Sequence, residues 1–239
     1  MSFVRSSGHP CFSNEKINVA RIHLPVAGDC NLGCNYCNAL QKSTNKHIPG
    51  ACSKILSTAQ ALELLRKEMD NNPNLTVVGI SGPGDPLANE STFSVLESIN
   101  RDFPGLLKCI CTNGIALADQ RNRLASLKID AITLTINSFK LETLSRIYGY
   151  VKIGNRIYKG IDSSRIILEK QIQALEIVAK ENVLRKINII YMEDINSDQI
   201  TAICERVSKM GMFRFNIMKL VPLNKFTGHE PNSGRYNII

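Results

Sequence analysis

The chain has 239 residues, 44% of them hydrophobic, and a formal net charge of +8. That length suits one α/β domain with a large core or two small domains, and the composition argues against disorder. No apolar stretch approaches the length of a membrane span, and residues 1–8 lack the apolar core of a signal sequence, so no membrane role and a cytoplasmic location are expected. The lysines and arginines are interspersed with acids and form no basic block with aromatics between, so nucleic acid is not expected either. A solvated surface explains the charge best, followed by an anionic small ligand or an acidic protein partner.

Residues 1–18 show little periodicity and read as an N-terminal arm; 19–222 read as the core domain and 223–239 as a loose polar tail. The apolar run 19–26 predicts a first strand. Directly after it comes Cys30-Asn31-Leu32-Gly33-Cys34-Asn35-Tyr36-Cys37, three thiols in one short loop. A long polar segment follows to Ser57. Thr58 is the expected N-cap of a helix through Met69. A buried strand over 75–80 ends in Gly82-Pro83-Gly84-Asp85-Pro86, and a helix around Phe93–Ile99 leads to a strand at 107–111 ending in Thr112-Asn113-Gly114. Then come a helix over roughly 118–127 and a strand at 131–137.

A short helix at 141–147 precedes a small hairpin over 150–158, which turns at Gly154-Asn155. The strongest amphipathic helix is expected at 164–181. A fifth strand at 186–191, a fifth helix at 197–210 and a sixth strand at 213–221 complete the series. Six strands alternating with helices predict a parallel sheet with right-handed crossovers, curled into a partial barrel with its working residues at the C-terminal strand ends. The polar oddities fall there: the thiol loop, the Gly-Pro loop, Asn113 and Asn137. Asn188 and Asn216 interrupt the last two strands, and several such amides on one face suggest a polar ligand site.

Eight cysteines are many for a reduced cytoplasmic protein, and their clustering suggests metal rather than a disulfide framework. Three thiolates on one loop can hold three irons of a cubane cluster and leave the fourth iron open. A disulfide pair with a spare thiol, or a zinc site completed by His47 or Cys52, are the alternatives on the loop alone. Cys204 lies in a helical pattern and reads as core packing.

The loop spacing, set among six βα units, resembles the radical S-adenosylmethionine (SAM) enzymes. That resemblance implies an α/β fold with a partial (β/α)6 barrel. It implies that Cys30, Cys34 and Cys37 bind a [4Fe-4S] cluster whose open iron chelates SAM, and that one-electron reduction cleaves SAM to a 5′-deoxyadenosyl radical. Tyr36, Gly82, Pro83, Gly84, Asp85, Asn113, Asn137, Asn188 and Met218 fall at cofactor-binding positions. Further segments resemble the nitrogenase cofactor maturases of the NifB family: His9-Pro10-Cys11, Ala20-Arg21-Ile22-His23, Val77 through Asn89 with its Gly82-Pro83-Gly84-Asp85-Pro86-Leu87-Ala88-Asn89 run, Thr112-Asn113-Gly114, Thr133 through Asn137, and Asn216-Ile217-Met218.

That family fuses two further [4Fe-4S] clusters into an eight-iron core and inserts a carbide derived from a SAM methyl group. The resemblance makes Cys11, His23 and Cys109 ligands to those substrate clusters. It also implies a cluster donor, cofactor assembly proteins and a one-electron reductant as partners. Two positions depart from the pattern: Ser43 and Lys46 stand where the family has a cysteine and a glutamate. No further cysteine pair follows the last strand. The competing functions are a radical SAM enzyme for another substrate, a cluster carrier without radical chemistry, and a zinc-binding interaction protein.

Overall fold

The computed structural model describes residues 9–10, 12, 18–37, 52, 54–211, 213–222 and 236–238. Six parallel strands curl into a half-barrel: β1 (Ala20–His23), β3 (Leu75–Ile80), β4 (Leu107–Thr112), β5 (Ala131–Thr135), β8 (Leu184–Tyr191) and β9 (Arg214–Pro222), adjacent in that order. The intervening β2 (Leu32–Cys34), β6 (Tyr148–Ile153) and β7 (Arg156–Tyr158) form a separate three-stranded antiparallel sheet. The helices are α1 (Thr58–Asn71), α2 (Glu90–Asp102), α3 (Arg121–Ser126), α4 (Leu141–Ile147), α5 (Gly160–Lys180) and α6 (Ile200–Met210). All six expected strands are present. The tail, expected to be loose, instead includes β10 (Tyr236–Ile238), antiparallel to β9.

Several boundaries differ for local reasons. The first strand stops at His23, before Pro25, which has no N–H to extend the ladder. The cap of α1 is Ser57 rather than Thr58. Its hydroxyl accepts from the Gln60 N–H, and the Gln60 side chain accepts from the Ser57 N–H, a reciprocal capping box. Helix α5 begins at Gly160, four residues earlier than its apolar periodicity suggested; Gly160 has φ +59°, and its carbonyl accepts from the Ser163 hydroxyl.

Strand alternation sorts the half-barrel into two faces. On the outer face Ile22, Val78, Ile80, Ile110, Ile132, Leu134, Ile187 and Ile189 pack against the helices as one buried core. The alternate residues face inward: His23, Gly79, Cys109, Cys111, Thr133, Asn188 and Asn216. A second cluster, with Tyr36, Ile147, Tyr148, Val151, Ile167 and Ile190, fills the space under the hairpin. At the opposite end of the barrel from the thiol loop, His9 is buried edge-on to Phe12, with ring centroids 5.1 Å apart. Burial, then the charges of Lys186 and Arg21, lower the His9 pKa to about 4.

The two faces should respond differently to substitution. Ile110→Ala removes a fully buried side chain and should lower the unfolding free energy by about 2–5 kcal/mol. Cys111→Ala, one residue on and half-buried, should cost less. Urea denaturation of the metal-free protein checks both.

Candidate functional site

The thiol loop is held at its root by the Gly-Pro run after β3. Ala27 and Pro83 form a parallel bridge, the Gly84 N–H donates to the Ala27 carbonyl at 2.7 Å, and the Asp85 N–H donates to the Asp29 carbonyl at 2.9 Å. Asn89 closes the same contact. Its carbonyl accepts from the Asp29 N–H at 3.0 Å, and its amide donates to the Asp29 and Asp85 carbonyls, each at 2.8 Å. A side chain at position 84 would not fit, since a Cβ there would stand 2.0 Å from the Asp29 oxygen. Gly82, with φ +138°, shapes the approach.

Asp85 turns inward. Its carboxylate is buried and accepts from the Thr112 hydroxyl at 2.9 Å, the Leu87 N–H at 2.9 Å and the Asn113 N–H at 2.7 Å. Burial raises its pKa, against the lowering effect of those three donors. The carboxylate therefore ties the Gly-Pro loop to the end of β4. Asn113, at that end, directs its amide to the Asn31 side chain at 2.8 Å and toward the Cys30 sulfur at 3.7 Å.

The three thiols differ in setting. Cys30 and Cys37 are exposed residues and Cys34 is half-buried, with the Cys37 N–H donating to the Cys34 carbonyl at 3.0 Å. The Cys30 thiol lies against dense protein, and burial followed by the Asp85 charge pushes its pKa up to about 11. The Cys34 thiol is pushed well up by burial and then by its neighbours Cys37 and Cys30. Three crowded thiols that oppose one another's ionisation become thiolates together when cations compensate them. Among the described residues no three His, Cys, Asp or Glu side chains converge to hold a single metal ion. Three thiols presented by one short loop fit a cluster in which each iron takes one thiolate.

Tyr36 and Asn137 anchor the loop from beneath. Asn137 is fully buried, and its carbonyl oxygen accepts from the Ile190 N–H at 2.8 Å. A backbone N–H can only donate, so this contact fixes the amide's orientation. The amide then donates to the Tyr36 hydroxyl at 3.1 Å and the Tyr148 hydroxyl at 3.0 Å. The Tyr36 hydroxyl in turn lies beside the Cys34 thiol as a hydrogen-bond donor. Asn196 completes the hub by donating to the Asn137 and Ile190 carbonyls, each at 2.9 Å.

On the inner face His23 and Cys109 meet across Gly79. A Cβ on Gly79 would stand 2.7 Å from His23 Nδ1 and 3.2 Å from the Cys109 sulfur. His23 Nδ1 is 3.0 Å from the Ser81 hydroxyl. Further round, Asn216 donates to Asn188 at 3.1 Å, and Asn188 points its amide at the Cys111 sulfur at 3.6 Å. Met218 is half-buried against the second cluster. Cys11, Ser43, Lys46 and His47 lie outside the described residues.

The structure thus brings Cys30, Cys34, Cys37, Tyr36 and Asn113 together at one strand end, and His23 with Cys109 inside the half-barrel. The inward-turned Asp85 and the buried Asn137 use their polar groups within the protein and position others. Asn89, Tyr148, Asn196 and Thr112 were not singled out from sequence as site residues. Asn89 stands in the quoted Gly-Pro-Gly-Asp-Pro-Leu-Ala-Asn run and Thr112 in the quoted Thr112-Asn113-Gly114, which offered the available signals.

A parallel half-barrel with three thiols on the loop after its first strand defines a radical SAM enzyme. The family model described as Radical SAM superfamily matches residues 24–207. The FeMo cofactor biosynthesis protein NifB of Methanocaldococcus infernus is 37% identical over 220 residues, 91% of this chain and 72% of that protein. The protein of the same name from Klebsiella pneumoniae is 37% identical over 219 residues, and the chain spans 47% of its length. The solved structure of native anSMEcpe with bound AdoMet superposes with a TM-score of 0.58 at 16% identity, covering 92% of this chain and 56% of that one, which supports the fold. The chain belongs to the NifB family of the radical SAM superfamily. Membership implies a SAM-binding [4Fe-4S] cluster and SAM.

Two substitutions test this support structure. Asn137→Ala strands the Tyr36 and Tyr148 hydroxyls and the Ile190 N–H, and should cost about 2–5 kcal/mol in chemical denaturation. Gly84→Ala should displace the loop root and reduce iron uptake on anaerobic reconstitution, measured by iron and sulfide analysis.

Proposed function

We propose that this protein works in nitrogenase cofactor biosynthesis, fusing two [4Fe-4S] substrate clusters with SAM-derived carbide insertion into an eight-iron precursor. The observation that carries the reading is the His23–Cys109 pair, which faces the barrel interior from strands adjoining the thiol loop and the Gly-Pro run. Imidazole and thiolate both bind iron, and imidazole is the more readily exchanged of the two, as a transient substrate cluster requires. The relatives' name supports the same reading.

In this reading Cys30, Cys34 and Cys37 hold the SAM-binding cluster. When bound, that cluster and SAM supply one-electron reductive cleavage of the sulfonium. Asn113 and Tyr36 direct hydrogen-bond donors at the Cys30 and Cys34 sulfurs, which lowers the cost of thiolate charge there. Gly82, Pro83, Gly84 and Asp85 set the loop's position, and Asn137 holds Tyr36 in place. Asn188 and Met218 line the inner face on the last two parallel strands. Cys11 joins His23 and Cys109 as a substrate-cluster ligand. The protein works in the cytoplasm with a cluster donor, cofactor assembly proteins and a one-electron reductant.

A second reading, radical chemistry on another substrate, is favoured by Ser43 and Lys46, which replace two expected ligands. Iron analysis separates the two. About twelve irons per chain after reconstitution supports the first reading, and about four supports the second. Cys34→Ala should abolish 5′-deoxyadenosine release with dithionite and SAM. His23→Ala and Cys109→Ala should lose iron above about four per chain yet keep SAM cleavage. Activation of cofactor-free nitrogenase by the product is the direct assay.

A further inference from the structure

The hairpin between α4 and α5 is built onto the cluster loop itself. Strand β2 of the loop pairs with β6, placing Leu32 opposite Val151, Gly33 opposite Tyr150 and Cys34 opposite Tyr148. The Lys152 N–H donates to the Asn31 carbonyl at 2.8 Å, and the Asn35 N–H to the Ile147 carbonyl at 2.9 Å. The Tyr150 ring lies directly over Gly33, where a Cβ would stand 2.2 Å from the ring. Hairpin and cysteines therefore form one thin layer, with solvent on the hairpin's outer side.

That outer side has an unusual composition. Four large hydrophobic side chains are exposed among the described residues, and three of them, Tyr150, Ile157 and Ile161, lie on this hairpin or at the start of α5. Lys152 stands opposite Ile157 across the β6–β7 pair, and exposed Lys159 follows Ile157 on the same alternation, while Arg156, opposite Ile153, is exposed at the hairpin's edge. Residues 148–159 contain these three cations and no acid. The nearby acids Asp119 and Asp162 are paired with Lys170 and Arg165, each at 3.4 Å. Asp29 lines a neighbouring cleft together with Cys30 and Lys152.

We propose that this hairpin face docks an acidic one-electron carrier protein, which reduces the cluster held by Cys30, Cys34 and Cys37. The proposal rests on the radical SAM assignment. A small apolar centre with a cationic rim suits a transient partner of opposite charge, because charge sets the encounter rate and orientation while the small area allows release. The carrier gives up one electron and is oxidised by one; the cluster accepts it, and no bond or proton changes hands. The backbone pairing between β2 and β6 sets the hairpin directly beside the strand that carries Cys34.

The test uses the reconstituted full chain and an acidic [4Fe-4S] ferredoxin. The variant Lys152→Glu/Arg156→Glu/Lys159→Glu is compared with Lys54→Glu/Lys67→Glu/Lys209→Glu, which makes the same charge change at exposed sites elsewhere. At low ionic strength the hairpin variant should bind ferredoxin about tenfold more weakly by anaerobic calorimetry. It should also lose about tenfold in ferredoxin-supported SAM cleavage while its dithionite-supported rate stays at wild type. The control variant should keep both, and added salt should bring the wild-type ferredoxin rate toward that of the hairpin variant. Ferredoxin binding unchanged in the hairpin variant, or weakened equally in both variants, overturns the proposal. If the wild type itself fails to cleave SAM with dithionite, the radical SAM reading falls, and calorimetry still decides the docking surface.

Discussion

The structure depends on one close approach, Gly84 against the carbonyl of Asp29. The contact leaves no room for a side chain, so it fixes how the end of β3 meets the root of the thiol loop. Hydrogen bonds from Gly84, Asp85 and Asn89 then hold Ala27 through Asp29 in place, and Cys30 follows directly. Asp85 extends the same junction to Thr112 and Asn113 on β4. Two loops and three strand ends are thus set relative to one another by contacts within the protein. Preorganisation of this kind reduces the ordering cost of binding.

A second junction, centred on Asn137, supports the loop from the core side. Its orientation is dictated by the Ile190 N–H, and it passes that direction to Tyr36 and Tyr148. Fully satisfied buried polar groups of this sort specify one arrangement, because any alternative leaves a donor or acceptor without a partner. The two junctions act on opposite sides of the loop. Between them they restrain a segment that has only three residues of regular strand.

Much of this was legible in the sequence. Apolar periodicity located the six parallel strands and their crossovers, and spacing alone drew attention to Cys30, Cys34 and Cys37. The hairpin was legible too, from Gly154-Asn155 between alternating residues. Its partner was not, because Leu32-Gly33-Cys34 is too short to carry a strand pattern and pairs with residues more than a hundred positions away. The roles of Asp85 and Asn137 were hidden for a related reason. A polar residue at a strand end signals a site, but whether its side chain turns to the ligand or into the protein depends on tertiary partners such as Thr112 and Ile190. The Ser57 cap was missed by one residue because both Ser57 and Thr58 are good caps, and only the reciprocal bond with Gln60 decides between them.

The alternation of β4 has a further consequence. Ile110 serves the packed core, while Cys109 and Cys111, on either side of it, serve the interior of the half-barrel. Chemistry and folding are therefore written in separate, interleaved registers of the same strand. Exchanging one inward residue for another can alter what the barrel accepts while leaving the helix-facing core contacts in place. That separation lets a single scaffold acquire new substrates by small steps.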